Sequence, residues 1–376
     1  MVSPKSFFEA LTENNIEFFA GVPDSLLKDF CGFVNDNVSE DKHIIAANEG
    51  NAVALAMGYY LASKKIGLVY LQNSGLGNTL NPLVSLADPE IYSVPILLLV
   101  GWRGEEGVPD EPQHKKQGKI TLSMLEVMGV PYKILPDNDD EAKVAVQEAY
   151  KIMMENSAPY ALVVKSGTFS NYEGSKKNIS SDITLSREDA LKSVIELISR
   201  DAVVVGTTGK LSRELFELRV KNSDTHDRDF LTVGGMGHAS SIALGIAIAK
   251  PTKKVYCFDG DGASIMHLGA YGTAGKVAPK NFIHIVFNNK VHDSVGGQPT
   301  AASVMDFGSI AKASNYKHIF CSKTEDDIKI NFKEIEKLEG PILMEILVTP
   351  GARKDLGRPT RTPLENKNDF MNFLNN

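Results

Sequence analysis

Short apolar segments that alternate with segments of helical periodicity constrain the fold of this chain more than any other feature. In the first half, strand-like apolar runs occupy residues 16–20, 43–47, 68–71, 96–100 and 161–165. Helical patterns lie between these runs, for example at residues 49–63 and 140–156. Regular alternation of this kind predicts an α/β fold in which a mainly parallel sheet is flanked by helices on both faces.

A polar stretch at residues 170–186 interrupts this alternation near the middle of the chain. After it the pattern resumes, with helices predicted at residues 186–200 and 237–249 and strands at residues 202–206, 255–258, 282–287 and 342–347. A chain of 376 residues is long enough for two domains of roughly 100–200 residues each. We therefore predict two α/β domains, at residues 1–169 and 187–376, joined by a linker at residues 170–186.

Composition and charge argue against several classes of function. The chain has 40 Lys and Arg residues and 47 Asp and Glu residues, which gives a net charge of -7. The sequence contains no long run of charges of one sign, so we expect no nucleic acid partner. The longest apolar run, residues 94–101, is far shorter than the roughly 20 residues that cross a bilayer, so we expect no membrane partner. The N-terminus lacks a signal-peptide core, and three widely spaced cysteines form no C-x-x-C pair, which together favour a cytoplasmic location.

Glycine pairs invite comparison with the dinucleotide-binding motif G-x-G-x-x-G, but each lacks the third glycine. These pairs are Gly75 with Gly77, Gly235 with Gly237, and Gly260 with Gly262. Residues 206–211 also fail as a P-loop, because the spacing is too short and Leu211 replaces the metal-binding Ser or Thr. A Rossmann dehydrogenase and a nucleotide triphosphatase are both disfavoured.

The second half contains a more specific pair of polar motifs. Asp261, between Gly260 and Gly262, follows the strand predicted at residues 255–258, and Asn289 follows the strand predicted at residues 282–287. A helix predicted at residues 264–277 would span roughly 21 Å and the strand after it roughly 20 Å, so a βαβ crossover would bring Asp261 and Asn289 together. Their oxygens suit Mg²⁺, which takes its remaining ligands from waters and a phosphate group. The alternative is an ordinary Asp-Gly turn beside a polar strand end.

Gly-Asp-Gly followed by Asn-Asn at this spacing resembles the signature of the thiamine diphosphate-dependent enzymes. The resemblance implies that Asp261, Asn289 and the carbonyl of Val291 hold Mg²⁺ against the cofactor's diphosphate. The segment around Glu49, Ala-Ala-Asn-Glu-Gly-Asn-Ala, resembles the family's pyrimidine-binding element, whose Glu hydrogen-bonds the aminopyrimidine ring and promotes its imino tautomer. Without the resemblance, Glu49 would be read as an acid favoured by a helix N-terminus.

The resemblance also implies further cofactor contacts. Residues 234–238 are similar to the loop whose large apolar residue supports the bent cofactor, which makes Met236 the candidate; the alternative is a core methionine. The predicted cofactor-binding residues are Thr207, Thr208, Gly209, Gly235, Met236, Gly237, Gly260, Asp261, Gly262, Ala263, Ser264, Asn289 and Val291. Residues 1–169 would then form the pyrimidine-binding domain and residues 187–376 the diphosphate- and Mg²⁺-binding domain.

Within the 2-keto acid decarboxylases, the chain lacks the third domain that pyruvate decarboxylases and acetolactate synthases carry between the other two. The short linker and residues 21–25, 113–118, 291–300 and 351–359 resemble the phosphonopyruvate decarboxylase branch. The resemblance implies decarboxylation of 3-phosphonopyruvate, a small 2-keto acid with a phosphonate group, to phosphonoacetaldehyde and CO₂.

This resemblance implies roles for residues in both halves. The predicted catalytic residues are Glu49, Asp24, His114 and Asp293, and the predicted substrate-binding residues are Ser25, Arg103, Lys116, His292, Ser294 and Arg353. His114 lies in a polar, lysine-rich segment that we predict to be a loop, where a solvated surface histidine is the alternative. Lys354 and Arg358 are further cations available to a trianionic substrate.

Three alternatives remain open at this point. Sulfopyruvate decarboxylase uses the same cofactor with a sulfonate substrate. A thiamine diphosphate carboligase is disfavoured by the missing middle domain, and a nonenzymatic cofactor-binding protein is disfavoured by the presence of Glu49. Because the two halves of this family usually meet across subunits, the resemblance also implies a homodimer or larger assembly with active sites at the subunit interface.

Overall fold

The computed structural model describes residues 1–174 and 182–375. The chain divides into two compact units, Met1–Asn178 and Ile179–Asn376. Among the described residues, each unit contains one parallel six-stranded sheet flanked by helices, which confirms the predicted α/β class. Residues 175–181 of the predicted linker lie outside the described residues.

In the first unit the strand order is β2-β1-β3-β4-β6-β5, and all pairs are parallel. The strands are β1 (Phe18–Gly21), β2 (His43–Ile45), β3 (Gly67–Gln72), β4 (Ile96–Gly101), β5 (Tyr132–Ile134) and β6 (Tyr160–Val164). The helices are α1 (Pro4–Glu13), α2 (Lys28–Asn37), α3 (Glu49–Ser63), α4 (Leu76–Pro82), α5 (His114–Val127) and α6 (Asp139–Asn156), with a 3₁₀ turn at Asn73–Gly75 and a π-helical turn at Leu83–Ala87.

The apolar run of β4 explains why this sheet is covered on both faces. Leu97 and Leu99 belong to one core cluster, while Leu98 and Val100 belong to the cluster on the other side. Because successive side chains of a strand point to opposite faces, a continuous apolar run is stable only with helices on both faces.

In the second unit the strand order is β11-β12-β10-β9-β7-β8, again with parallel pairs. The strands are β7 (Val203–Gly206), β8 (Asp229–Leu231), β9 (Val255–Gly260), β10 (Phe282–Asn288), β11 (His318–Ser322) and β12 (Ile342–Leu347). The helices are α7 (Arg187–Leu197), α8 (Lys210–Lys221), α9 (Ala239–Ala249), α10 (Asp261–Met266), α11 (Ala270–Val277), α12 (Phe307–Ala313), α13 (Glu325–Ile335) and α14 (Pro363–Asn375), with a 3₁₀ turn at Ala301–Ser303.

The prediction of one helix at residues 264–277 is wrong. The segment forms α10 and α11, and the chain leaves helical geometry between them at His267, with φ of -130° and ψ of 51°. Helix α10 also begins earlier than predicted, directly at Asp261. The crossover still connects neighbouring parallel strands, because β9 pairs with β10.

Because the strands are parallel, their carboxyl ends all lie at the same end of each sheet. In the first unit β1 lies beside β3, and β3 beside β4, so the segments that follow these strands converge. In the second unit the segments after β7, β9 and β10 converge in the same way. Such edges are where open α/β sheets bind ligands.

None of the helices in the described part of the chain is long and apolar enough to cross a membrane.

Candidate active site

Glu49 lies at the start of helix α3 in the first unit, and its neighbours hold its carboxylate in place. Asn48 caps helix α3 by accepting the Asn51 backbone N–H at 3.0 Å, and Glu49 is the first helical residue, 6% exposed. Glu49 Oε2 accepts a hydrogen bond from Asn78 Nδ2 at 2.7 Å. A Cβ atom at Gly75 would lie 2.3 Å from Glu49 Oε1, so the carboxylate packs directly on the glycine backbone. The residues before and within α4 therefore fix where this carboxylate points.

Asp24 lies where β1, β3 and β4 end. It is completely buried and accepts hydrogen bonds from Gln72 Nε2 at 2.6 Å and from the Leu26 backbone N–H at 2.7 Å. A Cβ atom at Gly101 would lie 2.4 Å from Asp24 Oδ2. Burial raises the pKa of Asp24 above its ordinary value, although these hydrogen bonds oppose the shift. Asp24 can consequently keep a proton at a higher pH than an exposed aspartate.

Beside Asp24, a charged cluster connects three of the predicted residues. Arg103 Nη1 donates to Ser25 Oγ at 2.7 Å, and the Arg103 guanidinium pairs with Asp110 through Nε at 2.9 Å and through Nη2. His114 Nδ1 lies 2.9 Å from the same Asp110 carboxylate. Burial acts to raise the pKa of Asp110, but the hydrogen bonds from Arg103 and His114 outweigh it and hold that pKa well below its usual range.

The prediction of a loop around His114 is wrong. His114 is the first residue of α5 and is buried at 7% exposure, which also excludes the solvated surface alternative. Its orientation comes from Asp110, which sequence reasoning missed; the available signal was an acid four residues before a histidine. Lys116 is exposed on the next part of α5. A cavity of about 140 Å³ adjoins this cluster, with Arg103, Asp110, Trp102 and Leu26 in its lining.

In the second unit the structure brings Asp261 and Asn289 together, as the spacing predicted. Gly260 pairs with Phe287 in the sheet register, and the Asn289 backbone N–H donates to the Asp261 carboxylate. Thr300 Oγ1 donates to the same carboxylate, a contact that the sequence did not indicate. Burial raises the pKa of Asp261 to about 6, despite these donors.

This arrangement fits a hard cation. A buried carboxylate whose charge is disfavoured gains from a positive ion close by, and Mg²⁺ prefers oxygen ligands. Asn289 Oδ1 accepts the Val291 backbone N–H at 3.1 Å, and Asn289 Nδ2 donates to Asp293 Oδ2 at 2.7 Å. Asp261 and Asn289 could therefore hold the ion, and the family resemblance adds the Val291 carbonyl as a third candidate ligand.

Two glycines of the predicted cofactor site pack closely against the loop at residues 291–300. A Cβ atom at Gly262 would lie 3.0 Å from His292 Cε1, and one at Gly209 would lie 3.1 Å from Ser294 Oγ. Gly209 also has a φ of 101°, which disfavours any residue with a side chain. The loops after β7, β9 and β10 consequently lie side by side, as a site for a diphosphate at the α10 N-terminus requires.

Other predicted cofactor residues surround the same edge of the sheet. The Thr207 backbone N–H donates to the Phe258 carbonyl at 2.8 Å, and Thr208 Oγ1 donates to the Val233 carbonyl at 2.9 Å. Met236 is half-buried and lies between two glycines with positive φ, Gly235 at 64° and Gly237 at 84°.

The first turn of α10 contributes the rest of this predicted set. Ala263 and Ser264 are buried there, and Ser264 Oγ donates to Asp259 Oδ2 at 3.1 Å. No atom outside its immediate neighbours lies within 4 Å of a Cβ built on Gly260, so the approach to this residue is open within the described part of the chain.

Two predicted residues are held by ionic partners of their own. Asp293 accepts a hydrogen bond from Arg187 Nη1 at 2.9 Å, and sequence reasoning missed Arg187 because it looks like an ordinary first helical residue. Arg353 pairs with Glu188 at 2.9 Å and also with Glu217. A phosphonate at Arg353 would have to compete with these carboxylates.

His292 is half-buried beside Gly262. Burial lowers the pKa of His292 to about 4, so its imidazole is neutral at physiological pH.

Comparison with known proteins gives matches in both units. The thiamine pyrophosphate enzyme N-terminal TPP binding domain matches residues 4–124, and the C-terminal TPP binding domain of the same enzymes matches residues 207–346. Phosphonopyruvate decarboxylase from Streptomyces viridochromogenes is 33% identical over 100% of this chain and 95% of that protein. The phosphonopyruvate decarboxylase from Streptomyces hygroscopicus is 32% identical over 99% of this chain and 94% of that protein.

A sulfopyruvate decarboxylase from Methanosarcina acetivorans is 26% identical over 93% of this chain and 92% of that protein. The lower identity ranks this relative behind the two Streptomyces proteins. The family resemblance drawn from the sequence motifs is confirmed: the chain belongs to the thiamine pyrophosphate enzymes and, within them, to the phosphonopyruvate decarboxylase family.

Proposed function

We propose that this chain decarboxylates 3-phosphonopyruvate to phosphonoacetaldehyde and CO₂, with thiamine diphosphate and Mg²⁺. The observation that carries the proposal is the identity of 33% to a phosphonopyruvate decarboxylase across the whole chain. Both half-sites agree with it, since one unit has a buried, oriented glutamate and the other has a carboxylate and an amide at a helix N-terminus.

Thiamine diphosphate, when bound, supplies the electron sink that makes loss of CO₂ from a 2-keto acid possible. Asp261, Asn289 and the Val291 carbonyl would hold Mg²⁺, which neutralises the diphosphate. The predicted cofactor residues after β7 and β9 would line the diphosphate, with the α10 N-terminus contributing a favourable dipole. Met236 would support the cofactor's central part.

Glu49 would hold and move the proton of the aminopyrimidine ring. Its carboxylate is oriented by Asn78 and by the close approach of Gly75, so little reorganisation is needed when the ring binds. Asp24 and His114 are the proposed groups for proton transfer to the substrate: Asp24 because burial raises its pKa, and His114 because Asp110 fixes its ring.

A substrate with three negative charges requires cations close to its charged groups, above all the phosphonate. Arg103 and Ser25 are hydrogen-bonded to each other beside the 140 Å³ cavity, and we propose them as contacts for the phosphonate. Lys116, exposed on α5, would add a mobile charge. Arg353, His292 and Ser294 stay proposed substrate contacts on the second unit.

We propose that the protein works in the cytoplasm as a homodimer or larger assembly. In this arrangement the Glu49 unit of one subunit would complete the Asp261 unit of another. Sedimentation of the purified chain tests the assembly, and an active monomer at assay concentration would contradict it.

Sulfopyruvate decarboxylation is the second candidate function. The relative from Methanosarcina acetivorans supports it, because that protein also aligns with 93% of this chain. The two substrates differ in the phosphonate or sulfonate group and share the 2-keto acid.

Comparing kcat/KM for 3-phosphonopyruvate and sulfopyruvate, with thiamine diphosphate and Mg²⁺ saturating, distinguishes the two functions. We expect the phosphonate to be turned over at least tenfold more efficiently. Faster turnover of sulfopyruvate would favour the second function, and absence of CO₂ release from both substrates would contradict decarboxylation.

A further inference from the structure

Asp293 lies at the centre of a network of hydrogen bonds in the second unit. Its Oδ2 atom accepts from Arg187 Nη1 at 2.9 Å and from Asn289 Nδ2 at 2.7 Å. The Gly351 backbone N–H lies 2.9 Å from Asp293 Oδ1 and 3.1 Å from Oδ2. These three donors engage both carboxylate oxygens and hold the Asp293 side chain in one position.

Arg187 is fixed in turn by Glu214. Nε and Nη2 of Arg187 donate to the two Glu214 oxygens at 2.7 and 2.9 Å, which is a bidentate pair. The Arg187 and Glu214 side chains are only 8% and 1% exposed. Burial acts to lower the pKa of Arg187, but Glu214 and Asp293 outweigh it and raise that pKa, so the guanidinium keeps its charge.

The network determines which way the Asn289 amide faces. With Nδ2 directed to Asp293, Oδ1 lies on the other branch of the amide, where it accepts the Val291 backbone N–H at 3.1 Å. The Asn289 backbone N–H donates to the Asp261 carboxylate, which keeps this residue beside Asp261. In a reversed amide, Oδ1 would face the Asp293 carboxylate, where two oxygens repel each other, and Nδ2, which cannot ligate a cation, would take the present place of Oδ1. Asp293 therefore favours the amide orientation that directs an oxygen, the atom that Mg²⁺ prefers as a ligand, away from Asp293.

We propose that Arg187, acting through Asp293, is a positioning residue that presents the Asn289 amide oxygen to Mg²⁺. The inference rests on the proposed function, because it takes Asn289 as a metal ligand. It gives Asp293 a positioning role, because Asp293 connects Arg187 to Asn289. It also extends the metal site to helices α7 and α8, which carry Arg187 and Glu214.

A second buried arginine in the same unit provides a matched control. Arg219 donates from Nε and Nη2 to the two Asp229 oxygens at 2.8 and 2.9 Å, and both side chains are 1% exposed. Replacing either arginine by methionine leaves a buried carboxylate without its bidentate partner, so both changes destabilise the fold by the same mechanism. The Arg219 pair lies outside the Asp293 network.

Metal binding is measured by the electron paramagnetic resonance of Mn²⁺, titrated into the protein with saturating thiamine diphosphate. We expect Arg187→Met to raise the Mn²⁺ dissociation constant about 10-fold. This is the lower end of the effect of removing a direct partner of a metal ligand, because Arg187 acts through Asp293. Arg219→Met should leave the constant within threefold of the unchanged protein. Thermal unfolding should show similar destabilisation for both.

The double variant Arg187→Met with Glu214→Leu separates positioning from stability. Removing both members of a buried ion pair is often neutral for stability, so thermal unfolding should return toward that of the unchanged protein. The Mn²⁺ affinity should stay weak, and the metal concentration for half-maximal rate should rise more than kcat at saturating metal falls.

Two results would overturn the inference, and they are distinguishable. If the unchanged protein binds Mn²⁺ with thiamine diphosphate but the stable double variant binds it within threefold as tightly, the positioning role is wrong and the proposed function stands. If the unchanged protein shows no binding of Mn²⁺ with the cofactor, the proposed metal site fails, and this inference with it.

Discussion

Replacing Gly75 by alanine should displace the Glu49 carboxylate without altering the backbone. Gly75 has φ of -80° and ψ of -9°, an ordinary helical conformation that alanine adopts without strain. The added Cβ would lie 2.3 Å from Glu49 Oε1, whereas ordinary contacts begin at 3.4 Å, so the carboxylate must move by about 1.1 Å. The same movement would stretch the 2.7 Å hydrogen bond from Asn78.

A displacement of this size is large for catalysis. Misplacing a reacting group by 1 Å can cost on the order of 100-fold in rate, so we expect Gly75→Ala to lower kcat by about that factor. The assay is steady-state decarboxylation of 3-phosphonopyruvate at saturating substrate, thiamine diphosphate and Mg²⁺.

Gly77→Ala is the matched control, two residues along in helix α4. A Cβ atom at Gly77 meets nothing within 4 Å, and alanine is favoured over glycine within a helix. We expect this variant to keep full activity and equal or slightly higher thermal stability. If Gly75→Ala retained a kcat within threefold of Gly77→Ala, the argument that Gly75 places the catalytic carboxylate would be refuted.

Two further predictions concern the neighbouring cluster. Gly101→Ala places a Cβ 2.4 Å from Asp24 Oδ2 and should lower kcat at least tenfold. Gly58→Ala is the control, because its Cβ meets nothing within 4 Å, and it should keep its kcat. Equal kcat values for the two variants would contradict a role for Asp24. Asp110→Asn should destabilise the fold more at pH 7 than at pH 3, with a difference of about 1 kcal/mol in the free energy of urea unfolding. The pKa of Asp110 is lower in the folded than in the unfolded protein, so the stability that Asp110 contributes is complete above its unfolded pKa and is lost as the pH falls toward its folded pKa. An equal loss at both pH values would count against the pairing of Asp110 with Arg103.

Much of the fold could be predicted from local patterns. The unbroken apolar run of β4 required helices on both faces, and the core clusters lie on both sides of it. The distance along the chain from Asp261 to Asn289 fitted a crossover between neighbouring strands, and β9 does pair with β10. The break in the helix at His267 could not be predicted, because it lies inside an otherwise helical pattern and no proline marks it.

The sequence gives little indication of which charged residues pair within the site. Arg187 and Asp293 are 106 positions apart, and no periodicity connects residues that meet only after the strands have assembled. Asp110 is closer to its partners, but its role depends on how the segment after β4 returns to Arg103. Spacing predicts which strand ends converge, while the ion pairs that orient the side chains depend on three-dimensional packing.

The measurement that tests the central claim most directly is ³¹P nuclear magnetic resonance of 3-phosphonopyruvate incubated with the purified chain, thiamine diphosphate and Mg²⁺, with released CO₂ quantified in the same sample. We expect the substrate signal to be replaced by that of phosphonoacetaldehyde, with one CO₂ per product, and we expect Glu49→Gln to abolish both. Turnover without phosphonoacetaldehyde, or full decarboxylation by Glu49→Gln, would contradict the account.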